Sequence, residues 1–391
     1  MQEKNLLRKI NLIIILLLLS AGVSFAVSDK PFTYLNPAAL IQPSTGEFTF
    51  AVFGDFRPSR RDRPYSEAFL KMLDEMNMIS PSFILSMGDA YYGYGGSFQR
   101  FKNEIDYFLS RIKSLDTPFF NVIGNHEAGG ALERENYIKG RFGTLYGSFD
   151  YGNSHFILLD TDEAGREGTI QGEQLKWLEK DIEANKNAEN IFVLMHRPLF
   201  SALDGELNKG KSFKDKANRD NLHRIFKKYS VKAVFAGHEH LFSETLKDGI
   251  KYFITGGGGS PLYQSPSKGG FLHYLIVRIK DKDMFIDVIA PYNLHVRNIS
   301  GNDGFEQRAE IEVSNTSHTD IYIRNLALKM PRTDADKYKL KALGISTRGQ
   351  TKEHWAKISR IKDNGDGTVT VSIETHLQKN ELVRIVLETD I

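Results

Sequence analysis

The side chains of this sequence that could do chemistry are oxygen and imidazole donors, and they follow short apolar runs along the chain. The chain contains no cysteine, which excludes disulfides, thiolate-bound zinc, iron–sulfur clusters and a thiol nucleophile. Any metal must therefore be held by imidazole, carboxylate, amide or phenolate groups. The candidate metal ligands are Asp55, Asp89, Tyr92, Asn125, His196, His238 and His240.

The apolar runs in front of these donors have the character of buried strands. They are Phe48–Phe53, Phe83–Met87, Phe119–Ile123, Ile191–Met195 and Val231–Ala236. Each is almost continuously apolar, as expected for a strand that is covered on both faces, and segments with helical spacing of apolar residues lie between them. This alternation predicts a layered α/β fold. Because ligands gather beyond the carboxyl ends of the strands in such sheets, the donors should share one edge.

Each donor by itself has a simpler interpretation. Asp55 or Asp89, directly after a glycine, could be a turn residue or a helix N-cap, and His196 could be a hydrogen-bonded core histidine. His238 and His240 point the same way if their segment is extended, as two imidazoles on one metal site require. Five strand ends that all deliver such donors favour one shared metal site over five independent turns.

Beyond the last donors the pattern changes to hairpin-like runs, and the first part of the chain should end near residue 292. We predict a catalytic domain over 47–292, preceded by a lead-in over 27–46. Residues 295–391 alternate apolar and polar positions, which predicts a small β-rich accessory domain. Asn364-Gly365-Asp366-Gly367 is typical of a hairpin turn within it.

The first 26 residues have the layout of a secretory signal peptide, with basic residues, an apolar run and small residues in that order. Cleavage is expected after about Ala26, which predicts a periplasmic or extracellular protein without a stable membrane anchor; an uncleaved anchor is the alternative. The formal charge of +2 falls to zero on cleavage, because the segment holds three basic side chains and one acidic one. A neutral chain gives no electrostatic reason to expect a nucleic-acid polymer as partner.

The donors and their neighbours resemble the motifs of the calcineurin-like metallophosphoesterases, most closely those of the purple acid phosphatase branch. The matching stretches are Asp55, Gly88-Asp89-x-x-Tyr92, Gly124-Asn125-His126-Glu127, Val193-x-x-His196 and Gly237-His238-x-His240. The resemblance covers about residues 47–290 and says nothing about the C-terminal part. It implies an α/β/β/α sandwich that holds two metal ions.

The resemblance also assigns the donors to the two metal ions. The first ion would be held by Asp55, Asp89, Tyr92 and His240. Asp89 would bridge to the second ion, whose other ligands would be Asn125, His196 and His238. If the Tyr92 phenolate binds, iron is favoured at the first site, and the second site would take iron, zinc or manganese; if Tyr92 only packs, a dimanganese, dizinc or mixed pair is favoured.

Three further residues are candidate catalytic groups. Arg57 stands where related proteins have glycine or a histidine ligand, and its guanidinium cannot bind a metal, so it could contact the substrate phosphoryl group; a structural cation is the alternative. His126 is the candidate general acid for the leaving group. Glu127 is expected to orient His126 as a hydrogen-bond acceptor, or else to be a surface acid.

The resemblance implies an exported enzyme that hydrolyses small phosphomonoesters by attack of a metal-bound hydroxide, since two cations about 3.5–4 Å apart activate a water and clamp the reacting oxygens. A phosphodiesterase or nucleotidase with the same site is the first alternative. The alternative from another class is a surface protein that uses the metal fold as a scaffold and binds cell wall, glycan or protein through its C-terminal domain, whose partner the sequence leaves unknown.

Overall fold

The computed structural model describes residues 39–203, 213 and 215–389. Helices lie between most of the strands up to Ala236, and four further strands follow up to Ile289. The strands are β1 (Glu47–Phe53), β2 (Phe83–Ser86), β3 (Phe119–Asn121), β4 (Gly147–Tyr151), β5 (Ser154–Leu159), β6 (Asn190–Met195), β7 (Ala233–Ala236), β8 (Phe242–Lys247), β9 (Ile250–Thr255), β10 (Tyr274–Lys280) and β11 (Asp283–Ile289). The helices are α1 (Glu67–Ile79), α2 (Phe98–Ile112), α3 (Asn125–Ala128), α4 (Leu132–Phe142), α5 (Gly172–Ala184) and α6 (Lys216–Lys228).

These strands form two sheets that pack face to face. The first sheet has the order β11-β10-β1-β2-β3, and the second has the order β4-β5-β6-β7-β9-β8. β1, β2 and β3 run parallel to one another, as do β5, β6, β7 and β9. Aromatic rings fill the space between the sheets: Phe50 stacks on Phe83 and meets Phe156 edge-on, both with ring centroids 5.3 Å apart. This apolar layer fixes the distance at which the two sets of strand ends meet.

Helices cover the outer faces of both sheets. The apolar sides of α1 and α2 pack on the first sheet, and those of α5 and α6 pack on the second. α1 begins directly after Ser66, whose hydroxyl accepts a hydrogen bond from the Phe69 N–H and so satisfies one of the free donors of the first turn. The four layers confirm the α/β/β/α sandwich.

The C-terminal part is entirely β-structure apart from one short turn of 3-10 helix. Its strands are β12 (Leu294–Ser300), β13 (Arg308–Asn315), β14 (Ile321–Pro331), β15 (Tyr338–Ile345), β16 (Thr351–Glu353), β17 (Ala356–Asp363), β18 (Thr368–Leu377) and β19 (Glu381–Thr389). They form one sheet of order β12-β13-β19-β15-β16 and another of order β14-β18-β17. Buried and exposed residues alternate along β14, as in a sheet with one solvated face. The β-rich prediction is confirmed, and residues 364–367 connect β17 to β18.

The C-terminal sheets share their apolar core with α1. Side chains of β14 and β18 belong to the same buried cluster as the apolar side of α1. Glu75 of α1, fully buried, accepts hydrogen bonds from the Tyr274 hydroxyl and the Tyr292 N–H, both at 3.0 Å. Arg324 donates to the Thr49 hydroxyl at 2.7 Å. The two parts of the chain are therefore joined by packing as well as by the link between β11 and β12.

The predicted signal peptide over 1–26 lies outside the described residues, as does most of the predicted lead-in. In the described ranges, no helix is both long enough and apolar enough to cross a bilayer.

A buried ion-paired histidine in the second sheet gives a prediction for stability. His155 is 2% exposed, and its ring nitrogens lie 2.6 Å from Asp150 Oδ1 and 2.9 Å from Asp181 Oδ2. Burial alone lowers the pKa of His155, but the two carboxylates outweigh it and raise the pKa to about 9. The folded protein thus holds this proton more tightly than the unfolded chain, whose histidine pKa is about 6.5. The stabilisation is complete below about pH 6.5 and is lost as the pH rises to about 9.

We expect this proton to contribute on the order of 2 kcal/mol. Urea unfolding at pH 6 and pH 9.5 should show the native protein losing more stability than a His155→Gln variant over that interval. Equal losses in both proteins would show that His155 does not carry the effect.

Candidate metal centre

The predicted donors converge where the carboxyl ends of the parallel strands of both sheets meet. Asp55, Asp89 and Asn125 follow strands of the first sheet, and the three histidines follow strands of the second. Ligand atoms of Asp55, Asp89 and His240 all lie within 4.8 Å of one another, and all three residues are buried. We call this group the Asp89 centre; its members are Asp55, Asp89, Asn125, His196, His238 and His240.

Asp55 and His240 form one side of the centre. Asp55 Oδ1 lies 3.3 Å from His240 Nε2, while Asp55 Oδ2 accepts a hydrogen bond from the His238 N–H at 2.7 Å. His240 Nδ1 lies 2.5 Å from the Pro261 carbonyl oxygen; because a carbonyl only accepts, Nδ1 carries the proton and Nε2 offers a lone pair. Asp55 Oδ1 is buried and has no hydrogen-bond partner in the described part of the chain. A buried, unpaired carboxylate oxygen facing an imidazole lone pair fits a bound cation.

His196 and Asn125 form the other side. His196 Nδ1 lies 2.7 Å from the Met87 carbonyl oxygen, so Nε2 is again the bare nitrogen. Nε2 lies 3.0 Å from Asn125 Oδ1 and 3.4 Å from Asp89 Oδ1. The Asn125 amide nitrogen donates to the Tyr94 hydroxyl at 2.9 Å, which fixes the amide oxygen toward His196. His196 Nε2 also lies 3.0 Å from His238 Nδ1. Two imidazole nitrogens, an amide oxygen and a carboxylate oxygen thus converge here, and this is a ligand set that fits a cation.

Three members of the centre have left-handed backbone. The φ angles are 59° at Asp55, 59° at Asp89 and 68° at His238. Non-glycine residues rarely adopt this conformation, and it is costly unless the surroundings impose it. The strained backbone at these three residues therefore occurs where their side chains converge on the centre.

The glycines before the donors allow carboxylate side chains to pass close to the backbone, and this matters more than their ability to form turns. A Cβ at Gly237 would lie 2.6 Å from Asp55 Oδ2, and one at Gly124 would lie 2.6 Å from Asp89 Oδ1. Gly124 has φ −103°, a conformation open to any residue. Glycine is required at these two positions because the carboxylates pass directly over the backbone.

Arg57 and His126 border the centre beside Asp89. Arg57 Nε lies 3.7 Å from Asp89 Oδ2, and its side chain is 14% exposed. His126 Nε2 lies 3.8 Å from the same oxygen, and its Nδ1 lies 2.5 Å from the Tyr92 carbonyl oxygen. Burial lowers the pKa of the His126 imidazole, with Asp89 opposing the effect. Both side chains are therefore placed to contact a group bound at Asp89.

Glu127 does not orient His126, and that prediction was wrong. The Glu127 carboxylate accepts backbone N–H groups: Oε2 from Asp89 at 3.0 Å and from Gly124 at 2.9 Å, and Oε1 from Ala90 at 2.8 Å. Burial first, and then the charge of Asp89, raise the pKa of Glu127. Because its oxygens are taken up by two strand-end turns, Glu127 holds together the backbone that carries Asp89 and Asn125.

Glu127→Gln should disturb both the fold and the centre. The amide presents one N–H₂ group to backbone donors, so buried N–H groups lose their acceptor. We expect the free energy of unfolding to fall by about 1–3 kcal/mol, and the phosphate-ester hydrolysis that the family resemblance implies to fall about 10- to 100-fold. The matched control is Glu133→Gln, since Glu133 is exposed. Unchanged urea unfolding and unchanged metal content in Glu127→Gln would contradict this role.

The tyrosines near the centre differ from the sequence prediction in their contacts. The Tyr92 ring lies beside the guanidinium groups of Arg57 and Arg61, at 5.8 and 5.1 Å, so its role as a ligand stays a prediction. Tyr263 instead stacks on His240 with ring centroids 4.1 Å apart, and its hydroxyl lies 3.4 Å from His240 Nε2. The sequence signal for Tyr263 was only the loop Gly256–Gly259 that precedes it, which is ordinary turn composition.

A sixth strand end was missed. β5 runs into Asp160-Thr161-Asp162, the same succession of apolar run and acid that marked the other strands. Asp162 Oδ1 accepts from Arg197 Nε at 2.8 Å and from Arg197 Nη2 at 2.6 Å. The Arg197 guanidinium also lies 3.2 Å from His238 Nε2. The pair Asp162–Arg197 thus lies directly behind a member of the centre.

The family follows from a sequence comparison. A family model described as calcineurin-like phosphoesterase matches residues 48–242, the part of the chain that carries every member of the Asp89 centre. The chain belongs to the calcineurin-like phosphoesterases. This confirms the family resemblance that its strand-end motifs indicated.

Purple acid phosphatases are among the relatives of this phosphoesterase in sequence and in structure. A probable inactive purple acid phosphatase 27 of Arabidopsis thaliana is 23% identical over 50% of this chain and 35% of its own length. The purple acid phosphatase PPD1 of yellow lupin (Lupinus luteus) is 16% identical, with a TM-score of 0.50, over 72% of this chain and 54% of that chain. A nucleotide pyrophosphatase/phosphodiesterase of Hordeum vulgare is 23% identical over 62% of this chain and 76% of its own length.

The chain therefore spans only about a third of the Arabidopsis relative and about half of the lupin protein. The lupin structure supports only the fold of this phosphoesterase, because structural similarity at 16% sequence identity does not establish a shared activity. The family carries a two-metal centre, and the buried group of Asp55, Asp89 and His240 is compatible with it.

Proposed function

We propose that this phosphoesterase hydrolyses small phosphomonoesters at the Asp89 centre with two metal ions. The observation that supports the proposal is the convergence of buried oxygen and imidazole ligand atoms around Asp89, including the unpaired Asp55 Oδ1. Asp55, Asp89 and His240 would hold one ion, and Asp89, Asn125, His196 and His238 the other.

Bound cations would supply an activated water and would neutralise charge that develops on the phosphoryl group. The remaining tasks belong to side chains of this chain. The Arg57 guanidinium, 3.7 Å from Asp89, orients phosphoryl oxygens through paired N–H groups. His126 Nδ1 is held by the Tyr92 carbonyl, so the group that delivers a proton from Nε2 to the leaving oxygen is the imidazolium form, whose charge the facing Asp89 carboxylate stabilises.

Hydrolysis of 4-nitrophenyl phosphate and of bis(4-nitrophenyl) phosphate by the full-length protein tests this function. Two metal ions per chain and faster turnover of the monoester support it. Metal-loaded protein that cleaves neither ester would refute it, and the scaffold alternative would then be favoured.

The phosphodiesterase alternative has support of its own. The barley relative named a nucleotide pyrophosphatase/phosphodiesterase matches more of its own length than the other two relatives do. Faster turnover of the bis-ester than of the monoester would select this alternative with the same centre.

Iron at the first site is part of the proposal, and the structure offers two phenols that could bind it. A tyrosinate–iron pair absorbs visible light, so the spectrum of the purified protein reports the ligand. A band that is lost in Tyr92→Phe supports the predicted ligand, whereas a band lost only in Tyr263→Phe assigns the phenolate to the ring that stacks on His240. Two metals without a visible band would exclude an iron–tyrosinate site.

Export completes the proposal, because residues 1–26 have the composition of a signal peptide. Mass spectrometry of protein recovered outside the cytoplasm should give a chain that begins at about residue 27. A full-length chain retained in the cell would contradict it.

A further inference from the structure

Three rings lie in one row across the sheet β14-β18-β17. Tyr322 of β14 is the register partner of His376 of β18, and their rings stack at a centroid distance of 4.0 Å and an angle of 9°. Ala356, the first residue of β17, pairs with Thr375, and the residue before it, Trp355, lines the same cleft as Tyr322 and His376. Residues opposite one another in adjacent strands project from the same face. The three rings thus form an aromatic row on the outer face of this sheet.

The aromatic row is open to solvent. Trp355 and Tyr322 are each 54% exposed, although the backbone around Trp355 is held in place. The Thr375 hydroxyl donates to the Trp355 carbonyl at 2.9 Å, and the His354 N–H donates to the Ala342 carbonyl at 3.0 Å. Large aromatic side chains on a rigid backbone offer contact area at little cost in conformational entropy. A row of this kind, left uncovered by the described chain, marks a binding surface.

The row lines an open cleft of about 1030 Å³, whose other walls are the β15–β16 hairpin and the turn between β18 and β19. Its charged lining is balanced, with Lys352 and Lys379 against Glu353 and Glu381. An anionic polymer would need an excess of basic groups, and a purely apolar ligand would leave these polar groups without partners. The cleft therefore fits a neutral ligand that has flat apolar faces and many hydroxyl groups at its edges.

We propose that this cleft binds a neutral polysaccharide. The C–H groups on the face of a sugar ring carry a small positive charge, which is attracted to the negative face of an aromatic ring. His376 covers one face of the Tyr322 ring, so the sugar contacts the part of Tyr322 that is exposed and the Trp355 ring. These two side chains lie two strand spacings apart, roughly 9–10 Å, which spans more than one sugar unit along a chain. Lysine, glutamate and amide groups of the cleft hydrogen-bond the hydroxyls. The site uses no residue of the Asp89 centre and does not rest on the proposed hydrolysis.

Affinity electrophoresis of the full-length protein tests the proposal. Gels that contain hydroxyethylcellulose, xylan, laminarin or glycol chitin should retard the native protein in at least one case. Trp355→Ala and Tyr322→Ala should each weaken that binding about tenfold, the loss of a stacking contact worth about 1.4 kcal/mol. Phe305→Ala is the matched control, because Phe305 is 78% exposed and does not line the cleft. Hydrolysis of 4-nitrophenyl phosphate should be unchanged in all three variants.

Tryptophan fluorescence provides a second measurement that does not depend on mobility. The chain has two tryptophans, and Trp177 packs on Tyr146 in another part of the protein. In a Trp177→Phe variant the emission of Trp355 should change when the retarding polysaccharide is added. The proposal is overturned if none of the four polymers retards the native protein, or if Trp355→Ala binds as well as Phe305→Ala. It is also overturned if sedimentation shows a dimer that only the row variants dissociate, since a second copy of the chain would then occupy the cleft.

Discussion

Replacing Asp89 by asparagine should lower the rate of phosphate-ester hydrolysis by more than about 100-fold. Loss of a residue that only hydrogen-bonds to a metal ligand typically lowers activity 10- to 100-fold. Asp89 is itself a proposed ligand at the middle of the centre, near both His196 and His126, so its loss should cost more. Asparagine keeps the shape and tolerates the left-handed backbone at this position, so the change tests the charge and not the turn. Metal content per chain should fall in the same variant.

The matched control for this substitution is Asp116→Asn, an exposed aspartate in the loop before β3. It should keep native activity and native metal content. The prediction fails if Asp89→Asn binds both ions and hydrolyses 4-nitrophenyl phosphate at the native rate. Such a result would place the catalytic metals elsewhere and remove the basis of the proposed function.

Phe50→Ala should destabilise the protein by about 3–5 kcal/mol. Phe50 is fully buried between the two sheets and touches the rings of Phe83 and Phe156. Truncation removes a large apolar side chain and leaves a cavity that the sheets cannot close, because both are held by their own hydrogen bonds. Urea unfolding of the full-length protein measures the change. Activity under native conditions should suffer less than stability, since no member of the centre touches this ring.

Phe305→Ala is the comparison for this variant as well, since a solvent-exposed phenylalanine should change the unfolding free energy by no more than about 0.5 kcal/mol. A loss below about 1 kcal/mol in Phe50→Ala would contradict the face-to-face packing of the sheets at this point.

The strands and the donors at their ends could be predicted from sequence because both signals are local. Continuous apolar runs mark strands that are buried on both faces, and the donors lie within a few residues of where each run stops. The general geometry of α/β sheets then predicts Asp89 and His196 beyond the carboxyl ends of the runs Phe83–Met87 and Ile191–Met195. The two strands belong to different sheets, and only the fold brings their ends together. β2 and β6 both follow this pattern.

The contacts that hold the metal ligands in position could not be predicted, because they join residues that become neighbours only in the folded chain. Glu127 follows His126 directly, which suggested a partnership between side chains, but its carboxylate turns to three backbone N–H groups. Tyr263 reaches His240 only through the path of the loop after β9. Asp162 could have been found from its strand, whereas its pairing with Arg197 needed the fold.

The buried Glu75 and the shared core around α1 determine how this phosphoesterase would meet a substrate. Because the apolar side of α1 packs on both parts of the chain, these two parts cannot rotate about a hinge at this helix. If the aromatic row binds a polysaccharide surface, the Asp89 centre is held at a constant angle and distance from that surface. Only phosphate groups at that height above the polysaccharide could then reach the Asp89 centre. The rigid connection between the two parts of the chain would thus determine which phosphate esters of the matrix are accessible.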